Sequence, residues 1–147
     1  PNLTRYSNDF DISLTELPSQ VIYPLHIEIE DNNAAYDFMG QLTNPTKHVI
    51  YEAELPSEGK TRSTRLSTLR LDDPKTLPQL SLVRSDTGAK IFTYELKKLL
   101  AKKPDYRPEC QFEYGVEIRL HELPDNTHCA VEVLIDGWMV HSYEIVL

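Results

Sequence analysis

The stretch "QFEYGVEIRLHEL", Gln111–Leu123, decides the fold. Phe112, Tyr114, Val116, Ile118 and Leu120 fall on one side of an extended chain, and Glu113, Glu117, Arg119 and His121 on the other. A period of two with one apolar face marks a half-buried strand. Downstream, a turn at Asp125-Asn126 sets Leu120 opposite Val131, Ile118 opposite Val133 and Val116 opposite Ile135. Asp136-Gly137 then signals a tight hairpin, because a type I′ turn needs positive φ at both central residues. That turn brings Trp138 beside Ile135 and Val140 beside Val133, and the third strand continues to the end of the sequence. On the polar side of this meander Arg119, Glu132 and His141 form a row. An acidic set, Glu113, Glu117 and Glu132, surrounds Met139 and Tyr143.

A second stretch follows the same logic. In "VIYPLHIEIE", Val21–Glu30, the residues Val21, Tyr23, Leu25, Ile27 and Ile29 share one face. A loop at Asn32-Asn33 places Ile29 opposite Tyr36 and Ile27 opposite Phe38. A further turn at Asn44–Lys47 places Gly40 opposite Tyr51 and Phe38 opposite Ala53. Every apolar residue then meets an apolar face, and a slip of one residue would destroy the match. Pro24 assigns the first strand to a sheet edge near its start.

The remainder is less patterned. "LPQLSLVRS" reads as a short strand, and Pro56–Pro78 as a long loop with one short strand near Leu66–Leu71. A helix is expected over about 94–103, with Thr93 as N-cap, Leu96, Leu99 and Leu100 as its apolar stripe and Pro104 as its stop. Residues 1–20 are polar and read as an irregular N-terminal segment. The expectation is a single domain over 1–147 of mainly β class, antiparallel and β-sandwich-like, with one short α-helix. Its two three-stranded meanders, at about 21–55 and 111–147, are joined by the loop, the short strand and the helix. The alternative is an α+β roll, one curved sheet packed on the helix, but a single short helix covers too little of a sheet.

Composition narrows the function classes. The 147 residues are 40% hydrophobic and 26% charged, which is ordinary globular usage. P-loop, dinucleotide, nucleophile-elbow, EF-hand and kinase signatures are absent, and five glycines leave few places for a cofactor to approach the backbone. Cys110 and Cys129 have no CxxC partner, and the histidines have no HxH, HxxxH or HExxH spacing, so neither metal nor cofactor is expected. No apolar run reaches spanning length and no charged-then-apolar leader opens the sequence. The expectation is a cytoplasmic protein with reduced thiols, an exported mature domain being the alternative.

The net charge of −8 is unevenly spread. Residues 1–60 carry 10 acids and 3 bases, 61–103 carry 4 and 10, and 104–147 carry 9 and 2. The basic middle opens with "GKTRSTRLSTLRLDDP", Gly59–Pro74. Lys60, Arg62, Arg65 and Arg70 could grip an anion, since arginine forks match phosphate. The run has no stacking aromatic and the rest of the chain repels a polyanion, so nucleic acid is disfavoured and the bases are expected to face acids of the same fold.

The function expected from these residues is a small acidic, non-enzymatic protein-binding domain of adaptor, inhibitor, immunity or assembly type. It would engage a partner, a basic one for preference, through the face of Glu113, Glu117, Glu132, Met139 and Tyr143 or through an exposed strand edge, which would also serve a homo-oligomer. The alternative is a small-molecule carrier with a cavity lined by Tyr23, Phe38, Tyr51, Phe112, Tyr114 and Trp138. An enzyme without a local motif ranks third. An anion-binding protein using the basic run ranks fourth.

Overall fold

The computed structural model describes residues 7–18, 21–31, 49–57, 59–69, 77–107, 111–122 and 128–146. Its elements are β1 (Ser7–Thr15), β2 (Leu25–Asp31), β3 (Val49–Glu54), β4 (Arg62–Leu69), β5 (Gln79–Arg84), β6 (Lys90–Glu95), α1 (Leu96–Ala101), β7 (Glu113–Glu122), β8 (His128–Ile135) and β9 (Trp138–Val146). They build a five-stranded sheet of order β4-β1-β7-β8-β9 and a four-stranded sheet of order β3-β2-β5-β6. The expected sandwich is thus the fold. Phe10, Ile12, Val116 and Val133 from the first sheet share one core with Ile27, Ile29, Leu82 and Phe92 from the second. At one margin β3 runs beside β4, and at the other α1 contacts both β6 and β9.

The C-terminal meander follows its alternation. Val116 pairs with Ile135, Ile118 with Val133 and Leu120 with Val131, in the expected register. Asp136 and Gly137 take φ of 49° and 87°, the left-handed pair that this turn requires, and Ile135 pairs with Trp138. Past Met139 the register shifts: Leu134 pairs with Met139, but Val133 pairs with His141. The extra residue, Val140, makes a bulge and is itself buried. Every later rung of β9 is therefore displaced by one residue relative to the sequence reading. His141 leaves the row of Arg119 and Glu132 and meets the ring of Tyr94 edge-on, 5.0 Å between centroids.

Burial, with Lys102 adding to it, holds the His141 imidazole below its ordinary value. A histidine whose folded value is lowered contributes stability that is complete above the unfolded value, about 6.5, and is lost as pH falls through the folded one. His141→Phe is expected to remove this loss. Urea unfolding at about pH 7.5 and about pH 5.5 measures it, and an unchanged pH dependence would exclude the placement.

The N-terminal half departs further from expectation. β2 is not at an edge: it pairs with β3 on one side and β5 on the other, because Pro24 sits just before the ladder begins. Ile29 and Ile27 consequently pair with Tyr51 and Ala53 instead of Tyr36 and Phe38. The expected middle strand, 34–42, lies outside the described residues, as do the turns at Asn32-Asn33, Asn44–Lys47 and Asp125-Asn126.

Residues 1–20 are not irregular throughout, since Ser7–Thr15 form β1 with Phe10, Ile12 and Leu14 buried. Nor is Pro56–Pro78 a long loop, since Arg62–Leu69 form β4, antiparallel to β1 from Ser7–Leu69 to Leu14–Arg62. β1 is also parallel to β7, with Asp9 beside Glu113 and Thr15 beside Arg119. Among the described strands this is the one parallel pair.

The helix forms where its leucines predict and buries Leu96, Leu99 and Leu100, but it is shorter than expected. Its N-cap is Glu95, without a side-chain cap. Thr93 instead lies in β6, where its hydroxyl bonds Ser81 Oγ at 2.9 Å.

Candidate functional site

The outward face of the five-stranded sheet collects the acids of three strands. β7 presents Glu113, Gly115, Glu117, Arg119 and His121 on the side opposite its buried Tyr114, Val116, Ile118 and Leu120. β1 adds Asp9 and Asp11, and β8 adds Glu132. Some of this charge is matched locally. Arg65 on β4 reaches Asp9 at 3.8 Å and Asp11 at 3.5 Å, so this base of the basic run does face acids of its own sheet. Arg119 bonds Glu117 and lies 4.0 Å from Glu132. His121 takes the place expected for His141, with Nε2 3.3 Å from Glu132 and Nδ1 2.6 Å from Glu16.

At the hairpin end of this face, a groove of about 250 Å³ is lined by Asp11, Ser13, Gly115, Glu117, Leu134 and Asp136 among others. Met139, the strand partner of the groove residue Leu134, is about half exposed. Asp136 is firmly held: Oδ1 accepts from the Gly115 amide at 2.7 Å, and Oδ2 from Lys103 Nζ at 2.6 Å and Gln111 Nε2 at 2.7 Å. Glu113, Glu117 and Glu132 share this face along β7 and β8, and Met139 is the strand partner of Leu134. The bulge pairs the Tyr143 backbone with Val131 instead of Ala130, its partner in the sequence register. Asp11 and Asp136 were missed in the sequence. The "DFDISL" alternation of β1 was the signal for Asp11.

A larger cavity, about 710 Å³, opens where β1 ends and β4 begins. Glu16, Leu17, Pro18, Val21, Gly59, Lys60, Arg62 and His121 line it. The chain turns into it at Glu16, whose φ of 57° is unusual for a residue with a side chain. Leu17 N–H donates to the Lys60 carbonyl at 3.3 Å, tying the two segments together. Of the basic run, Lys60 and Arg62 meet here, Arg65 sits on the acidic face, and Arg70 lies outside the described residues.

Of the six aromatics expected around a ligand, the five within the described residues do not converge. Tyr114 is buried and stacked on Phe10 at 5.5 Å, Tyr51 and Phe112 are partly buried, and Trp138 faces solvent. Tyr23 lies under the Arg84 guanidinium at 4.1 Å, and Phe38 is outside the described residues. Among the described residues, none of the other five is a lining residue of either cavity. Cys129 is a core residue of β8, and Cys110 is outside the described residues.

Among the described residues one trio, His26, Glu28 and Glu52, has the spacing of a metal site, with ligand atoms within 4.8 Å of one another. It was not expected, because Glu28 and Glu52 come together only through the β2–β3 register. The trio closes on itself: His26 Nε2 is 2.9 Å from Glu28, and Nδ1 bonds Ser85 Oγ at 2.8 Å.

Comparison with known proteins gives this arrangement a setting. Residues 2–144 match the model of the fimbrillin-A associated anchor proteins Mfa1 and Mfa2. The minor fimbrium anchoring subunit Mfa2 of Porphyromonas gingivalis is 28% identical over 152 residues, covering 99% of this chain and 46% of that protein. The solved structure of the fimbrial anchor protein Mfa2 from the same organism superposes with a TM-score of 0.75 at 26% identity, over 94% of this chain and 49% of that one. A crystal structure from Bacteroides ovatus gives a TM-score of 0.70 at 20% identity, over 95% and 50% of the two chains, and at that identity it speaks for the fold alone. The chain spans about half the length of the relatives it matches. Fimbrial anchors work at the cell surface, which overturns the expectation of a cytoplasmic protein. With nearly all of its residues matched, the chain belongs to the family of fimbrillin-A associated anchor proteins Mfa1 and Mfa2.

Proposed function

We propose that this chain supplies a non-enzymatic, protein-binding unit for fimbrial assembly, and that it recognises a basic contact on a fimbrial protein partner through the acidic face of its five-stranded sheet. Membership of an anchor family supports the assembly role. The observation that carries the choice of face is the groove over Gly115, where Asp11, Glu117 and Asp136 supply three carboxylates around Leu134, whose strand partner is the half-exposed Met139. Apolar side chains next to clustered carboxylates suit a lysine or arginine with its aliphatic stem, and complementary charge speeds encounter and sets register. Glu113 and Glu132 extend the negative field on either side.

Capture of purified fimbrial subunits tests this. Binding by the unmodified chain should weaken as salt is raised, and the pair Asp11→Lys with Glu117→Lys should lower affinity about tenfold or more, the scale of one to two close charge pairs. Glu54→Lys, exposed on the other sheet, should leave it unchanged. Equal capture by the reversed variant would sink the assignment of this face. If affinity is retained at every salt concentration while capture tracks changes on β9, an edge of the same sheet, strand addition is the mode instead.

A further inference from the structure

The cavity at the β1–β4 end holds an unmet cation. Arg62 is 5% exposed, and the Leu14–Arg62 rung is the last of the β1–β4 ladder, so its side chain sits where the core opens into the cavity. Its Nε donates to the Gly59 carbonyl at 3.3 Å, but Nη1 is enclosed and has no acceptor among the described residues. A guanidinium does not shed its charge in proteins, so an enclosed donor of this kind favours any anion that can reach it. Lys60 adds a second positive charge to the wall. The carboxylate already present, Glu16, is turned to His121 at 2.6 Å and is more than half exposed. Leu17, Pro18 and Val21 form an apolar wall, with Leu17 and Val21 nearly buried.

We propose that this cavity binds a carboxylate carried on a short apolar stem. The planar carboxylate matches the arginine fork, and the stem lies on Leu17, Pro18 and Val21. A monoanion suits the site better than a phosphate dianion, because Glu16 stands at the rim. The inference rests on the cavity and not on the assembly role.

Titration of the whole chain with butyrate, followed by amide and arginine Nε NMR signals, tests it. Saturable shifts confined to the cavity residues are expected, with none from propylamine and several-fold weaker binding of formate. Arg62→Met should fold and bind butyrate at least tenfold more weakly. If that variant does not fold, Arg62→Lys, which keeps the charge but loses the fork, should show the weakening instead. An N-acetylated tetrapeptide with a free carboxyl end, compared with its amide, separates two sources of the same chemistry. Tighter binding of the acid than of butyrate, with the amide silent, assigns the site to the end of a protein chain; binding no tighter than butyrate assigns it to a free carboxylate. Absence of saturable shifts with both butyrate and the peptide acid, or undiminished binding after loss of the arginine fork, overturns the proposal, and formate binding as well as butyrate removes the stem.

Discussion

Phe10→Ala should cost the fold about 3–5 kcal/mol, the range for deleting a buried phenylalanine ring. Phe10 has no exposed surface, pairs with Leu66 on one side and Tyr114 on the other, and stacks on the Tyr114 ring. Deleting the ring leaves a void between three strands whose backbones are fixed by ladders on both sides, so collapse of the site is restricted. The cost is a large part of a total that is typically about 5–15 kcal/mol. Urea unfolding at neutral pH measures it. A loss within about 0.5 kcal/mol, ordinary for a surface position, would mean that β1 is not a core strand.

Asp136→Ala should be the second most damaging change, at about 2–4 kcal/mol, built from lost hydrogen bonds to a charged group and a left-handed backbone that alanine tolerates poorly. Asp136 binds the start of β7 through Gly115 and Gln111, and the segment after α1 through Lys103. One side chain thereby joins the β8–β9 turn to two other parts of the fold. Partial burial pushes its carboxyl up, but the Lys103 ammonium, the Gly115 amide and the Gln111 amide together hold it below its ordinary value. A carboxyl lowered in the folded state contributes stability that is complete above the unfolded value, about 3.9, and is lost as pH falls through the folded one. Asp136→Asn keeps the shape and tolerates the backbone angle, so it isolates the charge. Its deficit should be clear at neutral pH and shrink as pH falls below about 4. A variant that tracks the unmodified chain at every pH would remove Asp136 from this role.

The same two residues mark what the sequence makes legible. Asp136-Gly137 announces a turn by local chemistry, and the register from Val116 to Leu120 follows from alternation, so the C-terminal meander could be read down to its pairs. The bulge at Val140 has no local signal, and one inserted residue moved His141 out of the expected row and shifted the Tyr143 rung. β1 was visible in the alternation of Phe10, Ile12 and Leu14, but its charged flanks and terminal position argued for a loop. β4 was hidden for a related reason: Arg62, Thr64, Leu66 and Thr68 point inward, and only one of them is apolar. The pairing of β2 with β5 depends on competition between distant strands, which no short stretch encodes. The groove and the larger cavity each draw on strands far apart in the chain, so their residues could be listed singly but not assembled.

The parallel rung between β1 and β7 has a consequence in time. Asp9 must find Glu113, about a hundred residues later in the chain, before the central rungs of the larger sheet can close. Closing a loop of that length is entropically slow. Until β7 has been synthesised, β1 has only β4 to pair with, and that two-stranded ribbon is marginal alone. The sandwich therefore cannot close before β7 has emerged, and the larger sheet waits open until then.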